Sequence, residues 1–159
     1  VTPAFVLAHT IPAALSLLPV TMNTPAARAM LVAIGLQESK FQHRRQVQGP
    51  ARGYWQFEER GGVTGVVTHP ATKGYALAVC DMLDYSPSVI VIYDAIADND
   101  VLACAFARLL LWTLPGALPM TADEGWRQYV KAWRPGRPHP ETWAENWQRA
   151  WDTVEDLQP

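Results

Sequence analysis

The 159-residue sequence predicts a mainly α protein, one domain over residues 1–159, packed around a central buried helix. Three observations predict it. Residues 24–41, TPAARAMLVAIGLQESKF, hold a helix that is apolar almost all round, which belongs inside a domain rather than on its surface. Helix-start signals then recur ahead of apolar segments with a 3.6-residue period: Ser86-Pro87, Asn99-Asp100, Thr121 with Glu124, and Pro140-Glu141. Only residues 42–69 lose that period, and they read as loop or a short β-hairpin holding five glycines: Gly49, Gly53, Gly61, Gly62 and Gly65.

The first twenty residues are apolar but lack a basic n-region and are broken by Pro3, Pro12 and Pro19 with His9. They predict a core helix or kinked helix pair, no membrane insertion, and a soluble chain without an export signal of its own. Thr24-Pro25 starts the next helix, since the Thr hydroxyl accepts an orphan N–H and Pro gives up a donor that had no partner. It should run to about Glu38. Ala27, Leu31 and Ile34 share the side of Glu38, while Ala29, Val32, Ala33 and Leu36 cover the other.

Beyond His69-Pro70 the chain returns to helix over residues 72–83, stopped by Asp84-Tyr85-Ser86-Pro87. The run Val89-Ile90-Val91-Ile92 has the look of a strand, yet Val89, Ile92, Tyr93 and Ile96 keep helical spacing, and helix is the reading. Asn99-Asp100 caps a third apolar helix over residues 101–113, ended by Pro115-Gly116. Thr121 and Glu124 form a capping box for a helix to about Trp133, and Pro140-Glu141 opens the last one, to about Glu155. Trp126, Tyr129, Val130 and Trp133 make one stripe, and Trp143, Trp147 and Trp151 another; both read as core.

Composition narrows the function. A hydrophobic content of 49% with 18% charged residues is that of a folded globular chain, and a net charge of −2 gives no footprint for nucleic acid. Arg44, Arg45 and Arg52 are the one basic cluster of note. Cys80 and Cys104 lie in apolar helical runs, as two buried thiols or as a bridge between neighbouring helices. No metal site is expected: neither Cys-x-x-Cys nor His-x-x-x-His spacing occurs, and His9, His43, His69 and His139 are scattered.

Glu38 is the candidate for chemistry. The last turn of an apolar helix brings one carboxylate to the edge of a dry core, where desolvation favours the protonated acid that a general acid needs. Gly53-Tyr54-Trp55-Gln56 follows beyond a polar connection, Gln56 lying 18 residues after Glu38. With Glu38-Ser39 ending a helix and Gly53-Tyr54-Trp55-Gln56 set across from it, residues 30–57 resemble the lysozyme-like superfamily, in its soluble lytic transglycosylase and goose-type lysozyme branch. That branch carries Glu-Ser and a Gly-Leu-Met-Gln-like segment at these places.

The resemblance implies a lysozyme-like helical domain that cleaves peptidoglycan glycan strands, with Glu38 as catalytic acid. It also implies Ser39, Gly53, Tyr54, Trp55 and Gln56 as substrate-binding residues, and no cofactor. Gln56 and the backbone at Gly53 and Tyr54 would hold sugar hydroxyls or the N-acetyl group, with Trp55 or Tyr54 packed on a sugar face. Glu58 is the candidate second carboxylate, with Glu59 beside it. An inverting hydrolase keeps its second acid about 6.5–9.5 Å away and a retaining one keeps it closer. With no second acid, the same Glu serves as acid and then base and an anhydro sugar is released. Lytic transglycosylases also carry an Ala-Tyr-Asn-Ala-like helix whose Tyr supports the Glu; here Ala105-Phe106-Ala107-Arg108 lacks that hydroxyl, which leaves the role to Tyr75 or Tyr93, or the chemistry to plain hydrolysis.

The expected setting is a monomer encoded by a bacteriophage or bacterium, acting on the cell wall as an endolysin or a virion-associated protein. The alternative is a catalytically inactive lysozyme-like module serving virion structure or assembly.

Overall fold

The computed structural model describes residues 1–157. The chain is mainly α, as the sequence predicts. Pro3–Phe5 (α1), a wide turn over Val6–Thr10 and Ile11–Leu15 (α2) run on as one rod. Pro12 has no N–H to offer the carbonyl of Ala8, and the rod absorbs this by widening, so that the Ile11 N–H reaches the Val6 carbonyl instead. The apolar opening is thus a core helix with an irregular middle, and among the described residues no helix is long and apolar enough to cross a membrane.

Pro25–Ser39 (α3) follows, its first turn capped by Thr24, whose Oγ1 accepts from the Ala27 N–H at 3.1 Å. Every residue from Ala29 to Leu36 is buried, which is what the all-round apolar sequence requires. The helix stops because Lys40 and Phe41 both take left-handed backbone angles, φ 52° and 56°. Two consecutive non-glycine residues there are strained, at roughly 1 kcal/mol each. Burial of Phe41 offsets the strain: its ring folds back on Gly35, where an added Cβ would lie 2.2 Å from the ring.

Residues 42–57 form the expected hairpin region in rudimentary form. Arg45 pairs with Arg52, and Arg52 with Phe57, as isolated antiparallel bridges. Residues 59–68 correct the loop expectation, because Glu59–Val63 is a wide helical turn leading into Thr64–Thr68 (α4). Three glycines lower the local propensity, but Val63 and Val66 are fully buried and Gly62 gives the Phe57 ring the space that a Cβ would fill at 2.6 Å. Packing overrides propensity here.

Lys73–Met82 (α5), Val89–Ile96 (α6), Asp100–Trp112 (α7), Ala122–Trp133 (α8) and Pro140–Asp156 (α9) complete the fold. Ser88, Asn99 and Thr121 cap α6, α7 and α8 through side-chain oxygens. The valine-isoleucine run is helix, as its spacing indicates. The core rests on two helices rather than one: α7 is buried from Leu102 to Leu111 and packs against α2 and α3, while α9 lies along α3. Among the described residues Arg108 is the one charged side chain in that core; its Nε donates to the Met22 carbonyl at 2.8 Å, and burial lowers its pKa to about 10. Cys80 and Cys104 are both buried and both free, which resolves the two arrangements in favour of thiols.

Candidate active site

Glu38 ends α3 beside α8, and the Tyr129 hydroxyl donates to its Oε1 at 2.6 Å. Burial raises the Glu38 pKa most, the Tyr129 hydrogen bond lowers it, and the negative charge of Glu58 raises it further, with a result of about 7. Tyr129 itself is 2% exposed, stacked on Trp143 at 5.2 Å between ring centroids, and its pKa is pushed up by burial and then by Glu38. It therefore stays protonated and always donates. Glu38 is left partly open to solvent.

The turn opposite is anchored from three sides. The Trp55 indole donates to the Leu31 carbonyl at 2.9 Å, the Trp133 indole donates to the Trp55 carbonyl at 2.7 Å, and Ser39 Oγ donates to the Tyr54 carbonyl at 2.7 Å. The same Ser39 oxygen accepts from the Phe41 N–H at 3.1 Å, so one hydroxyl ties the helix end to both the reversal and the turn. Gly53 sits at φ 72°, and a Cβ there would come within 2.8 Å of Ile96. Its carbonyl accepts from the Gln56 N–H at 3.0 Å and from the Gln56 side-chain amide at 2.8 Å. Gln56 also takes a left-handed angle, φ 51°, which closes the turn between the paired Arg52 and Phe57.

These contacts revise the roles expected from the sequence. Trp55 is fully buried and Tyr54 2% exposed, so neither ring presents a face to a sugar; Tyr54 is covered by Phe41 on one side and the Arg44 guanidinium, 4.5 Å from its centroid. Ser39, Gly53 and the backbone of Tyr54 hold the site together instead of binding across it. Gln56 is half-buried, its side-chain amide held by the Gly53 carbonyl, and Glu58 is exposed. Tyr75 lies exposed on α5 and Tyr93 donates to the Pro50 carbonyl, so neither supports Glu38. Phe106 is buried edge-on to Phe57, 6.5 Å between centroids.

Tyr129 is the residue that sequence reasoning placed only in a core stripe. The signal was present: it is the hydroxyl-bearing member of that stripe, and a buried phenol needs an acceptor. Gln37 was also missed. Its amide donates to the Pro138 and His139 carbonyls at 2.9 and 3.0 Å and accepts from Thr142 and Asn146 at 3.1 and 2.8 Å, which fixes the last turn of α3 against the start of α9.

Chemically, the arrangement is one carboxyl that can hold a proton near neutral pH, aimed by a phenol, with a second carboxylate nearby. Two cavities lie away from it: about 40 Å³ between α4, α5 and α6, and a shelf of about 380 Å³ along the Ala117–Pro119 segment and α8. Among the described residues no cluster of His, Cys, Asp and Glu has the makings of a metal site. Comparison with known proteins finds no family model, no curated protein and no solved structure that matches this chain.

Proposed function

We propose that the chain is a glycan-cleaving enzyme of lysozyme-like type, acting on peptidoglycan strands with Glu38 as its general acid. The single observation that supports this is the Glu38–Tyr129 pair: a carboxyl with a pKa of about 7, fixed at 2.6 Å by a donor that cannot itself release a proton. Glu38 gives its proton to the glycosidic oxygen as the bond to the anomeric carbon breaks, and the sugar ring takes up the positive charge. The carboxylate that remains then takes a proton from the attacking hydroxyl, whether that belongs to water or to the substrate. In either case Tyr129 steadies the charge that Glu38 acquires. Glu58 is the candidate to orient a water, and Gln56 to touch the N-acetyl group. The setting expected from the sequence, a phage or bacterial protein at the cell wall, is part of the same proposal.

Glu38→Gln tests it, since the amide oxygen still accepts from Tyr129 while the acid is gone. Release of soluble fragments from purified peptidoglycan should fall by about three orders of magnitude with the fold intact. Unchanged release would reject the proposal. Mass spectrometry of the fragments separates hydrolysis from transglycosylation, because anhydro ends are lighter by one water.

One observation favours a second reading, the catalytically silent virion module. The burial of Tyr54 and Trp55 removes the two rings expected to grip a sugar. A cleared zone on cell-wall zymograms excludes that reading, and its absence with a well-folded protein excludes the first.

A further inference from the structure

Arg108 carries a charge into the core that nothing among the described residues neutralises. It is 2% exposed, and its Nε donates to the Met22 carbonyl, which engages a single N–H of the guanidinium. The two terminal nitrogens find no acceptor among the described residues, yet neither is sealed from solvent. No carboxylate there comes within ion-pair distance. Residues 1–37 and 101–122, which supply α2, α3 short of its last two residues and α7 past its first, hold no Asp or Glu. A charge buried without a partner is costly, and folded proteins pair it.

The surroundings indicate what completes the pair. The guanidinium carbon lies 5.2 Å from the centroid of the Trp112 ring, which is 37% exposed, so one face of the group is covered and its outer edge reaches the surface beside an open indole. Val20, 83% exposed, stands two residues before Met22 in the same short turn. Asn23, the residue after Met22, accepts from the Arg28 Nε at 2.8 Å, and the half-buried Arg28 makes no ion pair either, which adds to the positive field drawing an anion in. We propose that Arg108 is a carboxylate-binding site, gripping both oxygens of a small organic acid with its two terminal nitrogens while the hydrocarbon end of the acid rests against Trp112 and Val20. The outer donors of a guanidinium lie in one plane and match the two oxygens of a carboxylate, and one buried charge is balanced by one of opposite sign. The apolar flank suits a hydrocarbon tail rather than the fully hydrated oxygens of a phosphate. The site lies at the start of α3, the opposite end from Glu38, and is independent of any role for that residue.

Titration of the purified chain with sodium butyrate tests this, followed by NMR through the arginine guanidinium N–H signals and the Trp112 indole signal at constant ionic strength. Butyrate should shift the Arg108 signal saturably, with a midpoint of about 1 mM. Acetate lacks the hydrocarbon tail and should bind about fivefold more weakly, and chloride should give no saturable shift. Arg108→Lys keeps the charge but loses the fork, so it identifies the Arg108 signal and should weaken butyrate binding about tenfold, read on the indole of Trp112. Should the lysine variant fail to fold, the titration of the parent decides by itself. No saturable shift with butyrate, an equal response to chloride, or tighter binding of inorganic phosphate than of butyrate would each overturn the proposal, as would a folded lysine variant that binds like the parent.

Discussion

At the scale of the residue, Glu38 and Tyr129 answer each other. Burial of the carboxyl favours its neutral form, and the phenol hydrogen bond favours its charged form, so the pKa of about 7 is a balance that either neighbour can tip. Tyr129→Phe removes the stabilising donor and raises the Glu38 pKa. The alkaline limb of the pH–rate profile should move to higher pH, and the rate fall about 10- to 100-fold. Glu58→Gln removes the negative charge that holds the pKa up, so the same limb should move to lower pH. Profiles of the two variants on one substrate check the pair of signs, and limbs moving together would contradict the assignment.

Glu38 was legible as a candidate because Gly53-Tyr54-Trp55-Gln56 follows it; a carboxylate at the end of an apolar helix, taken alone, usually just turns to solvent. Its partner was not, because nothing local announces which stripe of a distant helix will cover a given side chain. The expected roles of Tyr54 and Trp55 failed for a related reason. An aromatic cluster between glycines reads alike whether it faces a ligand or seals the back of a turn, and the indole bond to Leu31 that decides the matter is long-range.

At the scale of the element, the site depends on how α3 stops. Phe41 must fold under the helix for Ser39 to reach the Tyr54 carbonyl, and Gly35 is what allows it. Gly35→Ala should therefore destabilise the fold by about 2–3 kcal/mol in spite of the better helix propensity of alanine, because the added methyl collides with a buried ring. Urea unfolding measures this, and a stabilised variant would show that the reversal is softer than described. Most helices were legible from their caps: Thr24, Asn99 and Thr121 each accept the bond their sequence promised. Residues 59–68 were not, since Gly61, Gly62 and Gly65 argue for loop and only the burial of Val63 and Val66 argues back.

At the scale of the molecule, a raised carboxyl pKa leaves a mark on stability. Glu38 holds its proton up to about pH 7 when folded but only to about 4.5 when unfolded. The folded state therefore binds the extra proton between those values, and stability is fully present below about pH 4.5 and lost as pH rises through 7. Glu38→Gln abolishes that loss. It should match the parent near pH 4.5 and exceed it at pH 8 by about 3 kcal/mol, readable as a higher Tm. A parent that gains stability over this range relative to the variant would reverse the sign. The all-α architecture was legible as a whole because apolar periodicity runs through nearly every segment. That α7 shares the centre with α3 was not, because two equally apolar helices give no clue to which one the others surround.

The most direct measurement is the titration of the Glu38 carboxyl itself, followed by carbon-detected NMR on chain labelled at glutamate side chains, with Glu38→Gln to identify the signal. A midpoint near 7 that vanishes in the variant is the predicted result. A midpoint near 4.5, the value of a carboxylate in open water, would contradict it and leave the chain without a proton donor at neutral pH.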